Sequence, residues 1–273
     1  MRPNVSCGKC GCLIHATSTA DLERAQRQKV IDDLDVMANT IVNRKEWMVS
    51  GLLQNSISYS IEGYDNFTIT LPRDAGNTIT LGTFWDAAPT TVNVEEDFRT
   101  AAKVVSDAEG YGLTDVIHGA ESGQAFLDAM KAQGQTLLDP RRMATGSVIM
   151  DSLFDQMGVT YLGRFSQMDH WIYDRQFTLP AEEGGGTYDL IRPKYCEIIN
   201  RNPAITQRKM FYAAIPDFDN EAAATGRSLR QTEMFSKSWV TQDPSQRWLL
   251  MHTRPLPWFK RANSHVSMKT VSG

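Results

Sequence analysis

The longest pattern in the sequence is an apolar repeat that begins after Ser18 and continues to about Gln54. Apolar residues recur there at spacings of three, four or their sum, which is the period of one helix face. The stretch contains no proline and one glycine, and Ser18-Thr-Ala-Asp21 has the spacing of a capping box. The pattern predicts one amphipathic helix of about 35 residues, about 50 Å long. Its defining apolar residues are Val30, Leu34, Met37, Ile41, Met48 and Leu52.

Two alternating segments follow the predicted helix. Residues 56–62 and 67–71 each alternate with period two, and Gly63-Tyr-Asp-Asn66 between them has the residues of a turn. This arrangement predicts a β-hairpin that ends at Pro72.

Short strands and helices are mixed in the middle of the chain. Asn93 is a predicted N-cap of a second helix that ends near Gly110. Asp115-Val-Ile-His118 predicts a buried strand that leads into another helix, so the section from about Leu113 to Asp219 is predicted to be a compact α/β unit. The remaining predictions are helices at about 122–132 and 148–157, and strands at 78–81, 159–165, 170–177, 195–199 and 209–215.

A two-faced apolar strand is predicted near the C-terminus. Trp248, Leu250 and His252 alternate with Leu249, Met251 and Thr253, so both faces of the strand carry apolar side chains. We expect Pro255 and Pro257 to end this strand. Its pairing partner is not evident from the neighbouring sequence.

The composition narrows the function classes. The chain has 273 residues, of which 41% are apolar, so one large domain or two ordinary domains can each bury a core. The net charge of -4 argues against a nucleic-acid binder, which needs a basic face for phosphates. No apolar run approaches the roughly 20 residues that span a bilayer, and the N-terminal residues show no signal peptide. The four cysteines do not form a disulfide framework, which favours synthesis in the cytoplasm.

One cluster near the N-terminus has the residue types of a metal site. Thiolates two residues apart can share a tetrahedral ion, and a nearby imidazole can complete its ligands. Four ligands within nine residues are cramped, however, and no second cysteine pair occurs downstream. The alternative is a flexible terminal segment with exposed thiols. The candidate ligands are Cys7, Cys10, Cys12 and His15.

The signs of catalysis are weak. His118 follows a predicted strand and Asp115 begins it, which is where α/β enzymes often place catalytic groups, but a polar residue at a strand end is the simpler interpretation. Ser122 does not lie on a G-x-S-x-G elbow, and Gly184-Gly-Gly186 lacks the residues of a phosphate-binding loop. No catalytic residue and no cofactor are therefore predicted.

In their order and spacing, several segments resemble the major capsid proteins of tailed phages, in the group typified by the phage lambda capsid protein E. Ala20–Leu71 resembles the family's spine helix and the strands after it. Gly82-Thr-Phe-Trp-Asp86 resembles the following loop, and Asp115–Met130 resembles the strand and helix that open the axial domain. The C-terminal part of the resemblance comprises Lys237-Ser-Trp239, Asp243-Pro244, Arg247–Pro257 and Val266–Val271.

The resemblance implies an α+β protein with the Hong Kong 97 type capsid fold. It implies an N-terminal stub at residues 1–18, a discontinuous peripheral domain at residues 19–112 plus 230–273, and an inserted axial domain at 113–229. It further implies a structural, non-enzymatic virion protein of a tailed bacteriophage or prophage that forms hexamers and pentamers around double-stranded DNA. The implied partners are other capsid subunits and a scaffold or decoration protein, without a membrane or sequence-specific nucleic acid.

Three expectations follow from this resemblance. Residues 236–271 should return to the peripheral domain and pair with the strands at Ile57–Leu71, with one apolar face on the spine helix and the other against a neighbouring subunit. The large side chains of Trp85, Trp239, Trp248 and Leu250 should be packing residues that matter for stability. About 19 residues precede the spine helix where the family carries a longer section, so we expect weak contacts between subunits. The competing hypothesis is a metal-binding module or an α/β enzyme that uses the cysteine cluster.

Overall fold

The computed structural model describes residues 19–59, 67–134, 158–178, 185–216, 229–230, 233–242 and 245–273. The chain forms two compact units. The described residues up to Val42 and those of the segment 214–254 form the first unit, and residues 43–213 together with 255–273 contain the second.

The helices and strands of the described residues are these. The helices are α1 (Thr19–Leu53), α2 (Val94–Glu109), α3 (Ala120–Ala132) and α4 (Pro203–Thr206). The strands of the first half are β1 (Ser56–Tyr59), β2 (Phe67–Thr70), β3 (Thr78–Thr80), β4 (Asp115–His118), β5 (Val159–Phe165), β6 (Met168–Tyr173), β7 (Gln176–Thr178) and β8 (Thr187–Asp189). Those of the second half are β9 (Tyr195–Ile199), β10 (Arg208–Tyr212), β11 (Ile215–Pro216), β12 (Leu229–Arg230), β13 (Phe235–Gln242), β14 (Ser245–His252), β15 (Pro255–Phe259) and β16 (His265–Lys269).

Helix α1 confirms the first prediction at its full length of 35 residues. It contributes residues up to Val42 to the first unit and residues from Asn43 onwards to the second. The rest of the first unit consists of the short pair β11–β12 and the antiparallel hairpin β13–β14.

A six-stranded mixed sheet organises the second unit, in the order β3-β16-β9-β4-β6-β5. Strand β16 is parallel to β3 and antiparallel to β9, and β4 is parallel to β6. Because β16 comes from the C-terminal end of the chain, this sheet joins strands from both domains that the sequence predicts.

Helices α2 and α3 pack on one face of this sheet, α2 against β16 and α3 against β6 and β9. Asn93 caps α2 through the backbone N–H of Glu96, and Gly110 ends it with a φ of 76°, as the sequence predicts. The core between helices and sheet is aromatic, with edge-to-face contacts among Trp85, Phe98 and Phe126.

A second apolar cluster of this unit lies around the C-terminal half of α1. Its buried members are Met48, Leu52, Leu53, Ile57, Leu71 and Phe259. Strand pairs outside the large sheet complete the unit: β1–β2, β7–β8 and β10–β15.

The predicted hairpin at residues 56–71 is confirmed as β1–β2, but its predicted partners are wrong. In the described residues, β1 and β2 pair with each other alone, whereas β14 pairs with β13, β15 with β10, and β16 with β3 and β9. The three C-terminal strands β14, β15 and β16 therefore belong to three separate sheets. The predicted turn at 63–66 and helix at 148–157 lie outside the described residues.

Strand β14 ends at His252, before the two prolines, as predicted, but Pro255 and Pro257 themselves lie within a further strand, β15. In the described residues β15 pairs on one side only, with β10. Residues two apart direct their backbone to the same edge of a strand, so both missing N–H groups can face the edge that β10 does not occupy.

Candidate assembly surfaces

One face of the β13–β14 hairpin carries large apolar side chains that the described residues leave partly exposed. The register places Trp239 opposite Trp248 and Lys237 opposite Leu250. In a strand alternate residues share a face, so all four lie on the same side. Trp239, Trp248 and Leu250 are 41%, 50% and 41% exposed. We call this set the hairpin face.

Helix α1 extends the apolar surface next to the hairpin within the first unit. An open groove is lined by Val36 and Met37 of α1 together with Trp248 and Leu249 of β14. Val36 is itself exposed, as is Ile31 five residues earlier. A partner that covers the hairpin face can therefore also reach apolar side chains of α1.

A similar surface occurs in the second unit, on the β10–β15 pair. Phe211 lies opposite Leu256, and Lys209 lies opposite Trp258. Phe211, Leu256 and Trp258 are 51%, 42% and 53% exposed, while the alternate residues of β15 are turned inward. We call this set the strand-pair face.

The strand-pair face could not be predicted from the sequence. The alternation of Leu256 and Trp258 is visible in the sequence, but it was concealed by Pro255 and Pro257, which were expected to stop the strand. Strand β10 lies more than 40 residues earlier, and only the register brings Phe211 against Leu256.

Trp85 differs from the other predicted packing residues because it lies fully buried. Its indole Nε1–H donates to the Asp97 carboxylate at 2.9 Å, and its ring packs on Phe98 and Phe126. Burial raises the pKa of Asp97, and the indole hydrogen bond opposes that rise. Trp239, Trp248 and Leu250 are partly exposed among the described residues, so their role as packing residues stays a prediction.

The candidate catalytic residues lie inside the core of the second unit. His118 Nδ1 is 3.2 Å from the Ser122 hydroxyl, a distance typical of a base and its nucleophile. Both side chains are fully buried, however, and α3 and the aromatic core enclose them. Asp115 is buried on the opposite face of the same strand, where it pairs with Arg201 and accepts a hydrogen bond from Trp171 Nε1–H. The structure thus separates Asp115 from His118 instead of assembling a site.

The proposed metal ligands Cys7, Cys10, Cys12 and His15 lie outside the described residues. Within the described ranges, no group of three His, Cys, Asp or Glu side chains is arranged to hold a metal ion. The described helices include none with the length and apolar character that crossing a membrane requires.

Comparisons with known proteins agree with this architecture. A protein of an Escherichia coli CFT073 prophage that is assigned as a capsid protein superposes with a TM-score of 0.71 at 21% identity, covering 97% of this chain and 74% of its own. A phage-related protein of Bordetella bronchiseptica RB50 gives a TM-score of 0.39 at 12% identity, over 72% of this chain and 57% of its own, and carries no weight here. No curated protein matches the sequence.

The likeness to the prophage protein shows the Hong Kong 97 type capsid fold, with a long helix beside mixed α+β structure. The sequence profile of the family described as phage major capsid protein E matches residues 13–270, which is nearly the whole chain. Members of this family are structural proteins of the virion that assemble with other capsid subunits. The chain therefore belongs to the phage major capsid protein E family.

Proposed function

We propose that this protein forms the shell of a tailed bacteriophage or prophage, in which its hexamers and pentamers close into an icosahedral head around double-stranded DNA. The observation that carries the proposal is the pair of exposed apolar surfaces, the hairpin face and the strand-pair face. Large apolar patches on a protein surface mark contacts with other molecules, and the family assembles from copies of its own subunit.

The size of these faces supports assembly through many weak contacts. A fully exposed tryptophan side chain offers about 250 Å². With two half-exposed tryptophans and Leu250, the hairpin face presents about 300 Å² of apolar surface. A stable two-protein interface buries about 800 Å² on each partner. One face is thus too small for a stable dimer, whereas a closed shell gives each subunit several neighbours at once.

The finer features of the role belong to the same proposal. The protein would be made in the host cytoplasm and enter the virion, with a scaffold or decoration protein as a further partner. It would perform no catalytic turnover and would enclose the packaged DNA without sequence-specific contacts, in keeping with its net charge of -4. The division into a peripheral domain at 19–112 plus 230–273 and an axial domain at 113–229 also remains a proposal.

Electron microscopy of the expressed protein tests the proposal. We expect rings or shells of uniform curvature in the parent protein. Trp248→Ser and Trp258→Ser, which each remove one aromatic side chain from a proposed contact, should lower the assembled fraction at least about tenfold, since burying a large apolar side chain is worth about 1.5–3 kcal/mol.

Tyr188→Ser is the matched control. Tyr188 is a half-exposed aromatic residue on β8 that belongs to neither face, so its loss should leave assembly unchanged. Equal assembly in the parent protein and both tryptophan variants would contradict the assignment of these faces. Monodisperse monomers of the parent protein at every concentration would contradict the function itself.

A further inference from the structure

A continuous chain of buried polar groups crosses the core of the second unit. It starts at Thr270, which directly follows β16. The Thr270 hydroxyl lies 2.8 Å from the Ser122 hydroxyl on α3. Ser122 lies 3.2 Å from His118 Nδ1, and His118 Nε2 lies 3.0 Å from His170 Nδ1 on β6. His170 Nε2 ends the chain 3.3 Å from the backbone carbonyl oxygen of Phe165. All four side chains are fully buried.

While both imidazoles are neutral, the carbonyl at the end of this series of hydrogen bonds fixes the position of each proton in it. A carbonyl oxygen only accepts, so His170 carries its proton on Nε2 and leaves Nδ1 as an acceptor. His118 must then donate through Nε2–H, which leaves its own Nδ1 to accept from the Ser122 hydroxyl. Ser122 in turn accepts from the Thr270 hydroxyl, which also lies 3.3 Å from the Lys194 carbonyl oxygen. While both imidazoles are neutral, the hydrogen bonds therefore all run one way, from Thr270 to Phe165, and both rings are Nε2–H tautomers.

The surroundings favour the neutral state of both rings. Phe126 stacks on His170 at 4.7 Å with ring planes 2° apart, and on His118 at 5.0 Å. Burial, together with the neighbouring His170, lowers the pKa of His118 well below its usual range. Burial also lowers the pKa of His170 to about 4, although the Phe165 carbonyl and Asp115 oppose this shift.

Few other ionisable groups approach the two rings. On β9, Cys196 lies directly across from His118, and burial raises the pKa of its thiol so that it stays neutral. On α2, Asp97 accepts the hydrogen bond from Trp85. On β4, Asp115 pairs with Arg201. The remaining faces of the two imidazoles are covered by the aromatic side chains of Phe98, Phe126 and Phe165.

We propose that this chain of hydrogen bonds is an acid-sensitive lock, which fastens the C-terminal strand β16 to the core while both imidazoles are neutral and releases it when they take up protons. A second proton on His170 would place N–H groups face to face between the two rings unless His118 shifts its own proton to Nδ1. That shift, or a second proton on His118, would reverse the bond to Ser122 and turn the Thr270 hydroxyl away from Ser122, towards the Lys194 carbonyl oxygen 3.3 Å away. Either positive charge would lie among aromatic side chains. Among the described residues, no carboxylate lies within hydrogen-bonding distance of the two rings.

The direction of the pH effect follows from comparing the pKa of the two imidazoles in the unfolded and the folded protein. In the unfolded chain both imidazoles titrate near pH 6.5, whereas in the folded protein they titrate well below that value. Their contribution to stability is fully present above about pH 6.5 and is lost as the pH falls towards the folded pKa. The lock is therefore closed at neutral pH and weakens below about pH 6.

Nitrogen NMR of the parent protein tests the closed state. With histidines labelled by ¹⁵N, we expect the Nε2–H tautomer for both His118 and His170 and no titration of either ring between pH 6 and 8. An Nδ1–H tautomer of either ring, or a titration midpoint near pH 6.5, would overturn the proposal. This measurement needs no variant, so it holds even where substitutions prevent folding.

Hydrogen exchange tests the opening. After correction for the intrinsic effect of pH on exchange, protection of peptides from residues 265–271 should fall at least about tenfold between pH 7 and pH 5 in the parent protein. In the double variant His118→Leu/His170→Phe, whose apolar side chains fit the same enclosure, this pH-dependent loss should shrink to the part that His265 contributes, since His265 is buried on β16 and burial lowers its pKa to about 3.

His252→Gln is the control, because His252 lies on β14 in the first unit and takes no part in the chain of hydrogen bonds. It should keep the parental loss of protection. Unchanged protection of residues 265–271 in the parent protein at pH 5, or an equal loss in the double variant, would show that the chain of imidazoles is not the acid-sensitive element.

Discussion

Trp239 and Trp248 face each other across the β13–β14 hairpin, with ring centres 6.4 Å apart and ring planes 11° from parallel. Each ring covers one face of the other and leaves much of its remaining surface to solvent. The pair therefore stiffens the hairpin while it presents a flat apolar surface outward. This explains how two tryptophans so close in sequence can be exposed in the folded chain.

We expect Trp248→Ala to have a small effect on the stability of the isolated chain. A cross-strand aromatic pair contributes about 0.2–1 kcal/mol, so the free energy of unfolding should fall by about 1 kcal/mol or less. This is well below the 3–5 kcal/mol that truncating a buried tryptophan costs. Urea unfolding under conditions in which the protein is monomeric provides the measurement. A loss above about 3 kcal/mol would mean that the hairpin face is buried within one chain.

Trp85 should behave in the opposite way, since it is buried and hydrogen-bonded. Trp85→Phe keeps most of the apolar contact but leaves the half-buried Asp97 carboxylate without its donor, so we expect it to cost about 1–3 kcal/mol beyond the lost volume. Adding Asp97→Asn removes the uncompensated charge and should recover part of the loss. A double-mutant cycle by urea unfolding measures this coupling, and strictly additive costs would contradict it.

The elements that could be predicted from the sequence are those whose signals are local. The repeat of α1, the Asn93 cap and the Gly110 terminus of α2 each depend on residues within a few positions of one another. The hairpin β1–β2 is local as well, because its strands are separated by a short turn segment.

The pairing of distant strands could not be predicted in the same way. Strand β16 lies between β3 and β9, which are separated from it by about 185 and 65 residues, and an apolar strand such as β16 can in principle pair with many others. The link between His118 and His170 was missed for the same reason. The parallel alignment of β4 with β6 places the two side chains together, and no local sequence pattern predicts this alignment.

Gly123 on α3 should resist substitution although it lies in a helix, where alanine is normally favoured by about 1 kcal/mol. A Cβ at this position would overlap the side chain of Ile172 on β6. We expect Gly123→Ala to lower the free energy of unfolding by about 1–3 kcal/mol through overpacking. Gly112→Ala is the matched control, because an added Cβ there meets no atom within 4 Å, and it should change stability by about 0.5 kcal/mol or less.

The overlap with Ile172 can be tested directly. If it causes the loss, Gly123→Ala should cost less in an Ile172→Ala background than in the parent protein, with a coupling of about 1 kcal/mol or more. Equal costs in both backgrounds would place the strain elsewhere.

Glu197 gives the second unit a pH dependence of the opposite sign to that of its buried histidines. Its side chain is fully buried on β9, where Oε1 accepts from the Ser267 hydroxyl at 2.8 Å and from Arg192 at 3.3 Å. Within the described residues Oε2 has no hydrogen-bond partner. Burial raises the pKa of Glu197 to about 7, although Arg192, Ser267 and Arg73 oppose that rise.

Because this folded pKa is above the unfolded value of about 4.5, the folded chain binds the extra proton between the two. The favourable contribution of Glu197 to the stability of the folded protein is fully present below about pH 4.5 and is lost as the pH rises to about 7. Glu197→Gln keeps the shape of the protonated side chain and its bond from Ser267 but cannot ionise. We therefore expect the variant to gain stability relative to the parent protein as the pH rises from 4.5 to 7, by about 2–3 kcal/mol in all, and to keep that gain at higher pH.

The test is the difference in the free energy of unfolding between parent and variant, measured with urea from pH 4.5 to 8. Taking the difference cancels the contribution of the buried histidines, which acts in the opposite direction over part of this range. Glu121→Gln makes the same chemical change at an exposed position on α3, so its difference from the parent protein should stay small throughout. A constant difference between Glu197→Gln and the parent protein across the whole range would show that Glu197 has the same pKa in the folded and the unfolded chain, with Arg192 and Ser267 compensating its burial in full.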